Sequence, residues 1–377
     1  MANYIVSARK YRPQTFGSVV GQEAITTTLK NAIRTKHLAQ AFLFTGSRGV
    51  GKTTTARILS KTINCFQLGA DIEPCNVCES CLSFNEGRSF NILELDAASN
   101  NSVDDIRNLI DQVRIAPQIG THKIFIIDEV HMLTTQAFNA FLKTLEEPPA
   151  HAVFILATTE KHKIIPTVLS RCQIFDFHRI TIADIVFQLK QVALGENIEV
   201  EDKALHVIAQ KSDGAMRDAL SIFDQIVSFT NGKVTYDSVL SNLNVLDYEY
   251  YFNLVDAALK DDISSNLLLY NKVLSLGFDD MQFVPGLAEH LRNLLVSKDV
   301  RTASLLEMAQ EIKDRYVAQA KNTPNEFIYL ALDLLRDTEL NYRTSRNRRL
   351  TVEICLMRFT SIVSHLKEKQ PSSVSAT

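Results

Sequence analysis

The segment Gly46-Ser47-Arg48-Gly49-Val50-Gly51-Lys52-Thr53 sets three glycines ahead of a lysine and a hydroxyl residue, and Thr54 to Ile63 behind it reads as a helix. Glycines let successive backbone N–H groups turn inward around phosphate oxygens, and a helix amino end adds positive potential there. Lys52 then reaches the outer phosphates of a nucleoside triphosphate, and Thr53 offers a hydroxyl to magnesium. Farther on, Lys123-Ile124-Phe125-Ile126-Ile127-Asp128-Glu129-Val130-His131 is an apolar run ending in two carboxylates. A buried strand that ends in acids is common. Paired with the glycine loop, it reads as Asp128 orienting magnesium and Glu129 polarising an attacking water, with His131 supporting that geometry.

Cys65, Cys75, Cys78 and Cys81 form a third constellation, spaced C-x9-C-x2-C-x2-C. Four thiolates at this spacing close around one tetrahedral zinc and leave no open coordination position, which makes the site structural. An iron–sulfur cluster takes the same ligands, but no other redox feature accompanies these. Cys172 and Cys355 lie apart and read as packed thiols.

The elements that must hold these residues follow from the apolar pattern. Short runs at Ala41 to Phe44, Ile92 to Leu95, Ile124 to Ile127, Val153 to Leu156 and Ile174 to Phe177 alternate with amphipathic stretches, which predicts a parallel sheet wrapped by helices. Beyond Phe177, Ile182 to Leu194 and Lys203 to Lys211 carry apolar residues at three- and four-residue intervals, and the remainder reads as all-helical. A turn-rich stretch near Thr230 to Gly232 divides that part.

Lys and Arg number 40 against 43 Asp and Glu, a formal charge of −3, so any contact with nucleic acid must be local rather than a polybasic coat. No apolar run approaches the roughly 18 residues of a membrane span, and the amino end carries no secretory pattern. A cytoplasmic protein without membrane contact is the expectation. In that reducing setting clustered cysteines point to metal rather than disulfides.

These motifs together resemble the AAA+ ATPases of bacterial clamp loaders. Lys10-Tyr11-Arg12-Pro13-Gln14-Thr15-Phe16, Val19-Val20-Gly21-Gln22, the glycine loop, the cysteine insert, Asp128-Glu129-Val130-His131, Leu145-Glu146-Glu147-Pro148-Pro149, Ala157-Thr158-Thr159, Ser170-Arg171-Cys172 and Gly214-Ala215-Met216-Arg217-Asp218-Ala219-Leu220 stand in that family's order. The resemblance covers about residues 4 to 360, with Tyr11 where many members carry tryptophan and with a cysteine spacing of its own. It implies an α/β AAA+ P-loop core with a four-cysteine zinc insert over 1–178 (zinc module about 64–82), a helical lid over 179–243, a helical collar for oligomerisation over 244–367, and a flexible tail over 368–377.

The same resemblance implies ATP, Mg²⁺ and Zn²⁺ as cofactors. Tyr11, Arg12, Pro13, Val19 and Val20 would flank the adenine, and Gly46, Gly49, Val50, Gly51, Lys52, Thr53 and Thr54 would hold the phosphates. Thr159 would be a sensor of the γ-phosphate, Arg217 a second sensor on the lid, and Arg171 a finger reaching the nucleotide of the neighbouring subunit. Asn100, Asn101, Ser102 and Arg107, with Asp104 and Asn108, are candidates to face DNA phosphates, although a solvated helix face fits each of them equally well. The basic run Arg343, Arg346, Arg348 and Arg349 falls in the collar and reads as interface or surface.

The implied role is a motor subunit of a hetero-pentameric loader within the DNA polymerase III holoenzyme, opening a sliding clamp and placing it on primer-template DNA in the nucleoid. Longer family members continue into segments for a replicative helicase and a polymerase. Two other classes share part of the pattern. One is an ATPase-inactive assembly scaffold, disfavoured by intact Lys52, Thr53, Asp128 and Glu129. The other is a different AAA+ DNA motor such as a Holliday-junction helicase, disfavoured by the cysteine insert and Ser170-Arg171-Cys172.

Overall fold

Five apolar runs become strands: β1 (Ala41–Thr45), β2 (Ile92–Asp96), β3 (Lys123–Asp128), β4 (Ala152–Thr158) and β5 (Gln173–Asp176). They pair in the order β2-β3-β4-β1-β5, every pair parallel. Parallel neighbours need crossover connections, which helices Lys52–Ile63, Val103–Val113 and Thr135–Glu146 provide. On one face Phe42, Phe44, Ile124, Ile126 and Ile155 pack with Ile58 and Leu59 of helix Lys52–Ile63. On the other, Leu43, Phe125, Ile127, Phe154 and Leu156 pack with Ile106, Leu109, Phe138 and Phe141. Burial on both faces is why β1, β3 and β4 read as continuous apolar runs, whereas the edge strands β2 and β5 are partly exposed.

The chain steps from β2 to β3 to β4 in one direction and then passes β1 to reach β5. From β1 the chain instead runs the other way, to β2 at the far edge, so connections leave the neighbours β1 and β4 in opposite directions, and ligands of such sheets bind outside the carboxyl ends of the strands at that switch. Gly46 to Thr53 follows β1 directly, and Asp128 ends β3.

This computed structural model describes residues 6–369, apart from positions 70, 231, 244, 279, 304, 305, 307, 309 and 343. Of the tail expected over 368–377, residues 370–377 lie outside the described residues, while Lys369 ends helix Ile362–Lys369. The chain forms two compact units. One runs through Val200 and adds Ile208–Lys233; the other joins Glu201–Val207 to the chain from Val234 onward. The first holds the sheet together with helices Ile182–Glu196 and Met216–Thr230. Beyond the expected helices, Glu199–Val200 (β6) and Lys233–Val234 (β7) form a two-stranded ladder. Two residues per strand are too few for a period-two pattern to register in sequence. Among the described residues no helix is long and apolar enough to cross a membrane.

The second unit is helical, with Phe252, Leu287, Leu291, Phe327 and Phe359 in its core. Inside that core, His290 on helix Asp280–Val296 meets helix Gln310–Asn322 through Nδ1 to Tyr316 Oη at 2.9 Å and Nε2 to Gln319 Oε1 at 3.0 Å. The Gln319 amide nitrogen donates to Phe252 O and Asp256 Oδ1, so its oxygen must accept from His290 Nε2–H, and His290 Nδ1 accepts from Tyr316. The ring is thus neutral, and burial pushes its pKa from 6.5 down to about 4. Between those values the unfolded chain binds the proton and the folded one does not, so stability rises with pH across this window. Acidification from pH 7 to 4.5 is expected to remove about 2 kcal/mol from this unit. Urea unfolding at both pH values measures the loss, which His290→Gln should largely abolish.

Candidate functional site

At the carboxyl end of β1 the backbone takes the turns that the glycines permit. Gly49 has φ 79°, and a Cβ there would sit 2.8 Å from Ala215 Cβ, so only glycine lets the loop lie against Gly214-Ala215. Lys52 is 5% exposed and its Nζ donates to Gly46 O at 2.8 Å and Ser47 O at 2.7 Å, which holds the ammonium over the loop. Burial lowers its pKa, against the opposing pull of Glu129 and Asp128.

The two sequence motifs meet at Thr53 and Asp128. Thr53 Oγ1 donates to Asp128 Oδ2 at 2.6 Å, and the other carboxylate oxygen accepts from Glu129 N at 3.0 Å. A hydroxyl and a carboxylate together beside a phosphate loop form the all-oxygen donor set that suits magnesium. Glu129 itself is left-handed at φ 47°, an uncommon state for a residue with a side chain and one found at functional sites. Thr159 Oγ1 donates to Glu129 Oε2 at 3.0 Å, while the preceding Thr158 bonds His131 Nδ1 at 3.0 Å.

A cleft of about 1040 Å³, open mouth included, lies over the loop. Tyr11, Arg12, Pro13, Val19, Val20, Gly49, Val50, Gly51, Lys52, Thr53, Thr54, Asp128, Glu129 and Arg217 line it. Tyr11 Oη donates to Glu196 Oε1 at 2.6 Å, and burial, with that bond, raises the phenol to about 12. Gly46, Thr159 and Arg171 do not line the cleft. Arg171 is instead held by Glu146 Oε1 at 2.7 Å and Thr167 O at 2.7 Å. Sequence reasoning did not single out Glu146, because Glu146 and Glu147 are indistinguishable without the fold. It also missed Gln188, Met216 and Leu220, which line the cleft from helices far along the chain.

The sulfurs of Cys65, Cys75, Cys78 and Cys81 all lie within 4.8 Å of one another, and Cys75 Sγ is 4.0 Å from Cys81 Sγ. Tetrahedral zinc at a Zn–S distance of ~2.3 Å needs edges of ~3.8 Å, which this cluster meets with small shifts. Cys78 N donates to Cys75 Sγ at 3.2 Å and Cys75 N to Cys65 Sγ at 3.3 Å. Backbone bonds, that from Val77 first, pull the Cys75 thiol down to about 6, which suits a thiolate ligand. Lys61, 2% exposed, stands beside the cluster with Nζ bonded to Asn76 and Asn85.

The DNA candidates have partners of their own. Ser102 caps helix Val103–Val113 in a reciprocal box with Asp105, Asn100 Nδ2 donates to Asp96 O at 3.1 Å, and Arg107 pairs with Asp104 at 3.2 Å. Asn101 O accepts from Thr134 N at 3.4 Å. In the basic run Arg349 bonds Glu353 and Asn271, whereas Arg343 lies outside the described residues.

Comparison with known proteins adds relationships to this geometry. Residues 21–181 match the family model described as DNA polymerase III, delta subunit. Residues 184–232 match the ATPase lid domain of the DNA polymerase III clamp loader subunit, and 234–373 match domain III of the gamma and tau subunits. The chain is 40% identical over 359 residues to the DNA polymerase III subunit tau of Bacillus subtilis, covering 94% of this chain and 63% of that one. It is 34% identical over 361 residues to the DNA polymerase III subunit gamma of Buchnera aphidicola, covering 96% of this chain and 100% of that one. Among solved structures, the RuvB Holliday junction branch migration motor of Thermotoga maritima aligns at 19% identity over 71% of this chain and 86% of that one. Its TM-score is 0.46, a likeness too distant to bear on fold or function. With most of its length matched to gamma and tau subunits alike, and with the whole Buchnera gamma subunit covered, the chain belongs to the gamma/tau family of DNA polymerase III subunits.

Proposed function

We propose that this chain is the ATP-hydrolysing motor subunit of a replicative clamp loader. The observation that carries this reading is the junction of Thr53 and Asp128 at 2.6 Å under a glycine loop, with Glu129 beside them in the same cleft. In this reading the backbone amides of Gly49 to Thr53 and the Lys52 ammonium bind the triphosphate. Magnesium, held by Thr53 and Asp128, supplies charge neutralisation at the phosphates when bound. Glu129 polarises water toward the γ-phosphate, and Thr159, bonded to its carboxylate, couples that group to β4. Tyr11 to Pro13 with Val19 and Val20 hold the base, and Arg217 reports the bound state to the lid. The cysteines hold zinc as a structural closure.

Arg171 belongs to a different site in this reading. Its guanidinium is absent from the lining of its own cleft and is held, exposed, by Glu146, an arrangement that supports delivery to the neighbouring subunit of a hetero-pentamer. Sister subunits, the sliding clamp and primer-template DNA are the proposed partners, with Asn100, Asn101, Ser102 and Arg107 near the phosphate backbone, in the cytoplasm at the nucleoid. ATP drives the cycle only through contacts that differ between open and closed assemblies.

The test is steady-state ATPase of this chain reconstituted with sister subunits, with and without clamp plus primed DNA. A joint stimulation is expected, and Lys52→Ala should lower it by at least about 10²-fold, since a buried cation at the phosphates is lost. A flat response from an assembled complex overturns the motor reading in favour of an inactive scaffold.

A further inference from the structure

The cysteine loop touches the adenine side of the cleft through two side chains that neither motif explains. Glu73 lies between Cys65 and Cys75 and is mostly buried. Its Oε2 accepts from Phe16 N at 2.7 Å and its Oε1 from Gly17 N at 2.9 Å, while Lys30 Nζ neutralises it at 2.6 Å. Phe16 and Gly17 sit between Tyr11-Arg12-Pro13 and Ser18-Val19-Val20, the two stretches that line the cleft. A second tie runs through Lys61, whose Nζ donates to Gln14 Oε1 at 2.8 Å and also to Asn76, which lies inside the Cys75 to Cys78 knuckle. The base-proximal strand of chain is thus fastened at Gln14, Phe16 and Gly17 to groups whose positions depend on the cysteine loop.

That loop has little else to order it. From Cys65 to Cys78 its described residues form no helix or strand, and Phe66, Leu68 and Val77 are exposed. Just ahead of Glu73, Ile72 is left-handed at φ 58°, a costly state for a β-branched residue that persists only where its surroundings over-determine it. Closure by four thiolates on one ion supplies that constraint, because the energy of metal binding is spent ordering the ligating segment.

We propose that Glu73 and Lys61 are positioning residues that couple the metal state of the cysteine cluster to adenine binding, so that zinc strengthens nucleotide affinity by fixing residues Gln14 to Gly17. The coupling is reciprocal: nucleotide strengthens zinc retention by the same factor. It acts on the base contacts and not on the phosphate contacts, which come from the separate loop after β1. This inference rests on the nucleotide and zinc readings above.

The experiment uses the full chain and a fluorescent ATP analogue, with zinc content measured in parallel and tripolyphosphate with magnesium as a competitor that lacks a base. Glu73→Ala keeps all four thiols and should keep one zinc per chain, yet bind the analogue about fivefold to tenfold more weakly, as expected for losing two backbone anchors. Tripolyphosphate affinity should stay unchanged, which a general loss of structure would not allow. Chelating zinc from the parent chain should give a drop at least as large, and chelating it from Glu73→Ala should add only the smaller part carried by Lys61 and Asn76. Glu79→Ala, exposed on the same insert, should bind the analogue as the parent does. Unaltered analogue affinity in Glu73→Ala, or equal loss of analogue and tripolyphosphate binding, overturns the coupling while leaving the nucleotide site standing. A zinc-loaded parent chain that binds neither ligand overturns both the coupling and the nucleotide reading.

Discussion

Arg171→Ala, reconstituted with sister subunits, clamp and primed DNA, is expected to lose about 10³-fold or more of its stimulated ATP turnover while binding ATP as the parent chain does. The reason is where the guanidinium sits. Arg171 donates to Glu146 and Thr167 O and does not line its own cleft. A guanidinium delivered in trans neutralises charge developing on the transferred phosphoryl group, an effect worth about 10³ to 10⁵ in rate in related triphosphatases. The basal turnover of the isolated chain should be unchanged by the substitution. Nucleotide titration separates the outcomes: a variant that cannot bind ATP shows that Arg171 acts in cis, and undiminished stimulation removes it from catalysis.

Glu129→Gln is expected to lower turnover by about 10² to 10⁴-fold, the usual contribution of a positioned general base, and to leave ATP affinity close to that of the parent. Glutamine keeps the acceptor that Thr159 Oγ1 reaches at 3.0 Å, so the local geometry is retained while the carboxylate is lost. It also leaves Thr53 and Asp128 joined, and with them the proposed magnesium donors. Single-turnover hydrolysis alongside equilibrium binding checks the pair of expectations. Parallel loss of binding and turnover would assign Glu129 to ground-state binding instead. Normal turnover would remove it from the water-activating role.

The contrast between these two residues shows how much of the site was legible before the fold was known. Glu129 follows an apolar run in sequence, and a strand that is buried on both faces puts the residue after it at the sheet's carboxyl edge, so its place could be read directly. Arg171 belongs to a triplet whose local pattern says nothing of direction. The placement of that guanidinium against Glu146, outside the cleft, needed helix Thr135–Glu146 and the segment after Pro166 to be brought together. Thr158 and Thr159 present the same difficulty on a smaller scale. Their partners, Glu129 Oε2 and His131 Nδ1, lie 3.5 Å apart, and only the fold shows that the second threonine bonds Glu129 while the first bonds His131.

The cleft walls were legible only in part, for a related reason. Residues near the glycine loop in sequence were found by their motifs, but Gln188, Met216 and Leu220 reach it across long stretches of chain from helices whose apolar stripes look like any others. The ties from Glu73 and Lys61 to the segment around Phe16 left no sequence signal, since an isolated acid in a loop and a lysine in a helix are ordinary surface residues until burial is known.

By itself the sequence determined the parallel sheet, the glycine loop after its first strand, the carboxylates closing its third and the four-thiol cluster. Each of these is fixed by local periodicity or by spacing within a single segment. Tertiary structure alone decided the strand order that brings Thr53 against Asp128, the orientation of Arg171 and the fastening of the cysteine loop to the segment around Phe16. Those contacts join residues tens of positions apart, and their geometry depends on how whole elements pack rather than on the residues between them.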